Sequence, residues 1–258
     1  MDLGLKGKVA IVAGASRGIG KAIAHSLAGE GCNLVLCARG EEALTTVATE
    51  LSGTGVQVVS IALDITDADA GDRLVATAMN AFGRVDVLVG NAGGNRRKPL
   101  EETADSDWQD IINLNLMSHV RCGRAVIPEM KKNGGGAIVF VSSIFGREAG
   151  GAGLSIYNTT KSALISMAKI LALEVAPEGI RVNTVAPGSI RFPGGSWDRR
   201  CIEDPDGMAV FIKQNLPLGR FGKAEEVADT VTFLCSERAS LITGACITVD
   251  GSQSRSLI

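Results

Sequence analysis

Lys8-Val9-Ala10-Ile11-Val12-Ala13-Gly14-Ala15-Ser16-Arg17-Gly18-Ile19-Gly20 is the stretch that decides how the rest of the chain is read. It opens with a mostly apolar run of strand length, and its glycines lead straight into a helical pattern from Gly20 to Gly29. Glycine lets a backbone come close to an anion, and the free N–H groups and dipole at a helix start favour anionic oxygens. Strand, glycine turn and helix in that order are the setting of a pyrophosphate site, with Gly14, Ser16, Arg17, Gly18, Ile19 and Gly20 as its candidate residues. A tight structural turn also uses glycines, so the spacing alone leaves both readings open.

Outward from this unit, apolar or β-branched runs recur at Asn33 to Ala38, Val56 to Ala62, Val85 to Gly90, Ala137 to Val141, Ile180 to Ala186 and Ala245 to Val249. Helical patterns separate them, at Glu41 to Leu51, Ala68 to Phe82, Trp108 to Lys132, Ile156 to Ala176 and Ala224 to Ser236. Parallel strands need crossovers long enough for a helix. The alternation therefore predicts an α/β fold: a single Rossmann-type domain over 1–258, with a doubly wound parallel sheet of about seven strands flanked by helices. Ligands of such sheets bind at the carboxyl ends of the strands. Gly188 to Gly207, rich in Gly, Pro and charge, is the least regular part. It is expected to act as a mobile substrate lid, in a substrate-loop insertion at about 188–215, or else to be a surface loop without function.

The bulk composition sets limits. The 258 residues are 45% apolar and 21% charged, as in an ordinary globular α/β protein and unlike a disordered one. Lys and Arg number 26 against 28 Asp and Glu, a net charge of -2, and the basic residues are scattered. That leaves no dense positive face for a nucleic acid. Met1 to Gly7 carries no basic leader before a long apolar stretch, so the expectation is a cytoplasmic protein that does not enter membranes. The six cysteines form no C-x-x-C pair and there are two histidines, His25 and His119. They read as buried thiols, and no metal site is proposed.

The end of the second strand bears on cofactor choice, because an acid there would bond a free ribose 2′-hydroxyl and repel a 2′-phosphate. Here the strand ends Cys37-Ala38-Arg39. Arg39, helped by Ser16 and Arg17, suits a 2′-phosphate, so NADP(H) is expected rather than NAD(H), unless these arginines serve only solubility. Tyr157 and Lys161, four apart on a helical pattern, leave the same face one turn apart. A phenol with pKa about 10 is a reluctant base at neutral pH, and a neighbouring ammonium stabilises the phenolate. The pair by itself equally fits the surface of an amphipathic helix. Ser143 lies just past the fifth strand, where its hydroxyl can hold a substrate oxygen near Tyr157.

Gly14-x-x-x-Gly18-x-Gly20, Asp64-Ile65, Asn91-Ala92-Gly93, Asn115, Ser142-Ser143, Tyr157-x-x-x-Lys161 and Pro187-Gly188 follow one another over nearly the whole chain. With these motifs the chain resembles the short-chain dehydrogenases/reductases, in the branch typified by 3-oxoacyl-carrier-protein reductases. The resemblance implies hydride transfer between nicotinamide and a ketone or 3-oxoacyl-type carbonyl of a small-molecule or acyl-thioester substrate, reversibly giving a secondary alcohol. It implies Tyr157 as proton donor and acceptor, and Ser143 as the group that orients the substrate oxygen. Lys161 would tune Tyr157 and bond the nicotinamide ribose, and Asn115 would hold a water linked to that lysine. It further implies adenine contacts from Asp64 and Ile65, adenosine-ribose contacts from Asn91, Ala92 and Gly93, and nicotinamide contacts from Pro187, Gly188 and Ile190. A homotetramer, or a homodimer, is implied as well, built on the two long helices and the last strand. The alternatives are an NAD-linked alcohol dehydrogenase of the same family, opposed by Arg39, and a catalytically inactive NADP-binding regulator, opposed by the intact catalytic residues.

The sequence also departs from the resembled pattern. Gly90 stands where the family often has an asparagine, and Phe192 where it commonly has a threonine, which puts the usual hydroxyl contact to the carboxamide in doubt. Ser143 and Tyr157 are fourteen apart, one more than in many members, so the substrate wall near Ala149 to Gly153 is expected to be reshaped. Arg96, Arg97 and Lys98 hint at an acidic or carrier-bound substrate, or form a solvated basic loop.

Overall fold

The computed structural model describes residues 2–257. The chain runs β1 (Val9–Ala13), α1 (Gly18–Gly29), β2 (Asn33–Ala38), α2 (Glu41–Ser52), β3 (Val58–Ala62), α3 (Ala70–Phe82) and β4 (Val87–Gly90). It continues through α4 (Asp105–Ile112), α5 (Ser118–Lys132), β5 (Gly136–Val141), α6 (Ser155–Val175), β6 (Ile180–Pro187), α7 (Ser196–Glu203), α8 (Pro205–Asn215), α9 (Ala224–Cys235) and β7 (Cys246–Val249). The strands form one parallel sheet in the order β3-β2-β1-β4-β5-β6-β7, the doubly wound arrangement that the alternation predicts.

Period-two geometry gives this sheet two buried faces. In β1, Ala10 and Val12 join one apolar cluster with Ile23 and Leu27 of α1, Leu44 of α2 and Val231 of α9. Val9, Ile11 and Ala13 join the other, with Leu74 of α3, Val126 and Met130 of α5 and Leu164 of α6. The amino-terminal edge is pinned by buried Asp86, whose Oδ2 accepts the Val9 N–H at 2.9 Å while Arg84 grips both carboxylate oxygens at 2.8 and 2.6 Å. A buried carboxylate costs desolvation, and this one is matched by a two-pronged guanidinium and a backbone donor.

The strand order reverses between β1 and β4. Their register pairs Ala13 with Gly90, so Gly14 and Asn91 emerge side by side at the carboxyl edge. The pairs Ala38 with Ala62 and Val141 with Val185 bring Arg39, Asp64, Ser143 and Pro187 out along the same edge. Among the described residues no helix is long and apolar enough to cross a membrane.

Two stretches differ from the sequence expectation. The single helix expected over Trp108 to Lys132 is broken by a π turn at Asn113–Met117. Apolar residues keep their rhythm through it, which hides it in the sequence. The widened turn is held by side chains: Ser118 Oγ donates to the Leu114 carbonyl at 2.6 Å, and Asn113 Oδ1 accepts from Arg121 at 2.7 Å. The second difference lies in the irregular stretch Gly188 to Gly207, which carries α7 and the start of α8. Asp204 caps α8 by accepting the Gly207 N–H at 2.9 Å, and Pro205 occupies the first turn, where a missing N–H costs nothing.

Gly90 has a packing reason. A Cβ there would lie 2.6 Å from His119 Cδ2 and 2.6 Å from Phe140 Cδ1. His119 is buried, donates from Nε2 to the Gly90 carbonyl at 3.1 Å, and is held neutral by burial, its pKa pushed down to about 3. Gly90→Ala is therefore expected to lower the unfolding free energy by about 1–3 kcal/mol through overpacking. Denaturant unfolding of the cofactor-free protein checks this, and an unchanged midpoint would show that the strand has room.

Candidate active site

The glycine turn is built by close backbone approach. Gly14 N and Ala15 N both donate to the Cys37 carbonyl, at 2.8 and 3.1 Å, which ties the turn to the end of β2. Gly14 sits at φ +72°, and a Cβ on Gly20 would strike the Gly14 carbonyl oxygen, so neither position admits a side chain without distortion. Asn91 Nδ2 donates to that same oxygen at 3.1 Å, bracing the turn from β4.

A single cavity of about 1430 Å³ runs along the carboxyl edge of the sheet. Of the candidate cofactor residues it is lined by Gly14, Ser16, Arg17, Ile19, Arg39, Asp64 and Ile65, by Asn91, Ala92 and Gly93, and by Pro187, Gly188 and Ile190. Gly18, Gly20 and Asn115 do not line it. Gly18 lies under the Phe192 ring, which a Cβ there would meet at 2.6 Å. Among the described residues neither Arg17 nor Arg39 pairs with a carboxylate. Asp64 is held below the usual carboxylate range by hydrogen bonds from the backbone and hydroxyl of Thr66, at 2.9 and 2.7 Å, with a smaller effect from Arg39.

Ser143, Tyr157 and Lys161 line the same cavity. Ser143 leaves the end of β5 in extended conformation, accepts the Phe145 N–H at 3.2 Å and stands close enough to the Tyr157 phenol to influence its acidity. Lys161 is buried one turn beyond Tyr157 on α6. Its Nζ donates to the Val141 carbonyl at 2.9 Å and lies 5.9 Å from the centre of the Tyr157 ring. Burial lowers the lysine pKa to about 8. The spacing of Lys161 predicts that it lowers the phenol's pKa, but here burial pushes Tyr157 up and the opposing influence comes from Ser143. The reason is the ammonium's aim at Val141 rather than at the phenol oxygen.

Asn115 sits in the π turn with its amide fully engaged. Oδ1 accepts the Gly94 N–H at 2.8 Å, and Nδ2 donates to the Gly94 carbonyl at 2.9 Å and to Thr160 Oγ1 at 3.0 Å. It clamps the loop after β4 to α6, next to Lys161.

Other lining residues carry no recognisable signature in the sequence. Trp197 of α7 stacks on Phe211 of α8 with ring centres 4.7 Å apart, and both line the cavity. The Asp204-Pro205 helix start was the available signal for this pair of helices. Ser189 and Gln253 are bonded to each other twice, Ser189 N to Oε1 at 2.7 Å and Nε2 to Ser189 Oγ at 2.9 Å, beside Gly188. Gln253 lies in the carboxyl-terminal tail, far in sequence from every motif.

A parallel doubly wound sheet with a glycine turn at its switch point, and a Ser, Tyr and Lys gathered at the same edge, defines a dinucleotide-dependent oxidoreductase fold. The comparisons with known proteins agree. The family model described as enoyl-(acyl carrier protein) reductase matches residues 14–252. The chain is 39% identical to dehydrogenase/reductase SDR family member 4 of Oryctolagus cuniculus, over 96% of this chain and 94% of the relative. It is 38% identical to the 3-oxoacyl-[acyl-carrier-protein] reductase of Thermotoga maritima, over 96% and 98%. The crystal structure of L-sorbose reductase from Gluconobacter frateurii, complexed with NADPH and L-sorbose, superposes with a TM-score of 0.95 at 38% identity, covering 100% of both chains. The chain belongs to the short-chain dehydrogenase/reductase family.

The burial of Lys161 has a measurable sign. An unfolded lysine holds its proton to about 10.5, whereas Lys161 gives it up above about 8. Between those values the unfolded chain binds more protons, so the contribution of this residue to stability rises with pH. The cofactor-free parent is expected to gain stability relative to Lys161→Met as pH is raised through that window, in denaturant unfolding at matched pH. A constant gap would show that Lys161 titrates normally.

Proposed function

We propose that the protein is an NADP(H)-dependent oxidoreductase that reduces a ketone or 3-oxoacyl-type carbonyl to a secondary alcohol, reversibly. The observation that carries this reading is that Ser143, Tyr157 and Lys161 line the same cavity as the glycine turn and Arg39. The cavity is larger than the roughly 300–1,000 Å³ of a drug-sized site, which suits a dinucleotide and a substrate together. Bare Gly93 leaves the Lys161 head open, since a Cβ there would lie 3.2 Å from its Nζ.

The cofactor's 2′-phosphate would be held by Arg39, Arg17 and Ser16, and its pyrophosphate by the start of α1. Asp64 and Ile65 would hold the adenine, Asn91, Ala92 and Gly93 the adenosine ribose, and Lys161 the nicotinamide ribose. Pro187, Gly188 and Ile190 would flank the nicotinamide, with Ser189 and Gln253 supplying the polar contact that Phe192 lacks. When bound, NADPH supplies the hydride and NADP⁺ accepts it. Ser143 orients the substrate oxygen, and Tyr157 donates its proton to the alkoxide that develops there, or takes the alcohol's proton in the reverse direction. Asn115 fixes the loop that faces Lys161, and α7 and α8 cover the substrate. The NADPH bound to L-sorbose reductase supports the choice of cofactor. Exposed Ile170 and Leu173 on α6 support association into a homotetramer or homodimer, and a cytoplasmic location completes the reading.

Tyr157→Phe is expected to retain NADPH binding, followed by the fluorescence of the bound dinucleotide, and to lose turnover by about 10²–10⁴-fold. Turnover near the parent rate would remove Tyr157 from the mechanism. Arg39→Asp is expected to lower kcat/KM with NADPH by about tenfold or more, with no comparable loss for NADH, since a charge-assisted hydrogen bond contributes about 1.5–3 kcal/mol. Equal losses with both cofactors would mean that Arg39 does not read the 2′-phosphate.

A further inference from the structure

The basic run Arg96, Arg97 and Lys98 separates into two kinds of residue. Arg96 Nη1 lies 2.5 Å from Asp107 Oδ1 and its Nη2 3.0 Å from Asp110, while Lys98 Nζ lies 3.1 Å from Asp107 Oδ2. Those two cations are spent inside the protein, fastening the loop after β4 to α4. The loop is fastened on its other side as well, where Lys98 N donates to the Gly153 carbonyl at 3.1 Å and Arg97 Nε to the Ala152 carbonyl at 3.3 Å. Arg97 therefore sits in a loop fastened on both sides. Its η nitrogens, with four of the five N–H donors of a guanidinium, have no partner among the described residues, and the residue lines the cavity.

Arg97 meets the chain segment that leads into the catalytic helix. It packs on Ala152 and Gly153, immediately before α6 and Tyr157. A second unpaired guanidinium lines the same cavity from α7: Arg200, whose Cζ lies 4.9 Å from the centre of the Trp197 ring. Arg255 lines it too, opposed by one acid, Glu148, whose Oε2 accepts the Arg255 backbone N–H at 2.8 Å. Over the whole lining, Arg17, Arg39, Arg97, Lys161, Arg200 and Arg255 stand against two carboxylates, Asp64 and Glu148. A concave site with this balance attracts anions, and a pre-oriented guanidinium fork matches the two oxygens of a carboxylate or phosphate.

We propose that the substrate is an anionic ketone, with an oxyanion group remote from the reacting carbonyl that is received by Arg97, with Arg200 as the second cation. This rests on the reductase reading above and names its substrate class. Arg97 is a specificity-determining residue: it touches the far end of the substrate and leaves the reacting atoms to Ser143 and Tyr157. Trp197 and Phe211 provide the apolar wall that the intervening chain would cross.

The test uses the NADP⁺-saturated enzyme, in which a ketone binds without being reduced. Calorimetry is run with oxoalkanoates of increasing chain length, with their methyl esters and with oxoalkyl phosphates of matched length. NADPH oxidation by the same compounds is followed in parallel. At the chain length that fits, one anion is expected to bind about tenfold or more tighter than the neutral ester. The order of carboxylate and phosphate identifies the source of the oxyanion. Arg97→Met is expected to abolish most of that advantage. Arg124→Met, an exposed residue of α5 outside the cavity, removes the same charge and is expected to keep it.

No anion advantage at any length, an advantage that survives Arg97→Met, or one lost equally in Arg124→Met would overturn the proposal. The two readings fail separately. Ester reduction without an anion advantage leaves the reductase standing, and an anion advantage without NADPH oxidation leaves the anion site standing.

Discussion

The ammonium of Lys161 is the charge around which the active edge of the sheet is arranged. It is 4% exposed, and among the described residues its one hydrogen-bond acceptor is the Val141 carbonyl at 2.9 Å. A buried cation with donors to spare is costly, and the downward pull on its pKa is the measure of that cost. Hydrogen bonds fasten the elements around it. Ser142 Oγ donates to the Lys161 carbonyl at 3.0 Å, locking α6 onto the end of β5, and Asn115 clamps Gly94 across the way. The residue facing the ammonium is Gly93, which fills none of the space in front of it.

That arrangement follows from parallel pairing. Strands that all run one way deliver their carboxyl ends, and hence Gly14, Arg39, Asn91, Ser143 and Pro187, to a single edge, while each intervening helix is carried back over a buried face. Residues distant in sequence become neighbours without any long loop having to reach them. The π turn at Asn113–Met117 interrupts the long helical stretch, and it coincides with Asn115.

The parts of this arrangement that were legible in the sequence share a local cause. Strand runs such as Asn33–Ala38 are apolar because both faces are buried, and Gly14 and Gly20 are glycines because backbone lies where a side chain would be. What stayed hidden depends on distant partners. The space at Gly90 is taken by His119 and Phe140, and nothing near Gly90 in the sequence says so. Gln253 reaches Ser189 across 64 positions. The division of labour among Arg96, Arg97 and Lys98 is set by Asp107, Asp110 and Ala152, so three adjacent cations that look alike in the sequence differ in what each has left to offer. Gly and Pro content gave α7 and α8 the look of an irregular loop, although Asp204 and Pro205 mark the start of α8.

Tyr157 is the single tyrosine of the chain, so an ultraviolet titration of tyrosinate reads its acidity without interference. In the cofactor-free protein the phenol should titrate above its ordinary value of 10, because burial outweighs the opposing influence of Ser143. In the proposed binding mode NADP⁺ would bring a positive nicotinamide to the phenol and fill the space in front of Lys161, so saturation with it should bring that value down. A phenol that stayed at or above its cofactor-free value in the NADP⁺ complex would contradict a role for Tyr157 as the group that exchanges the proton.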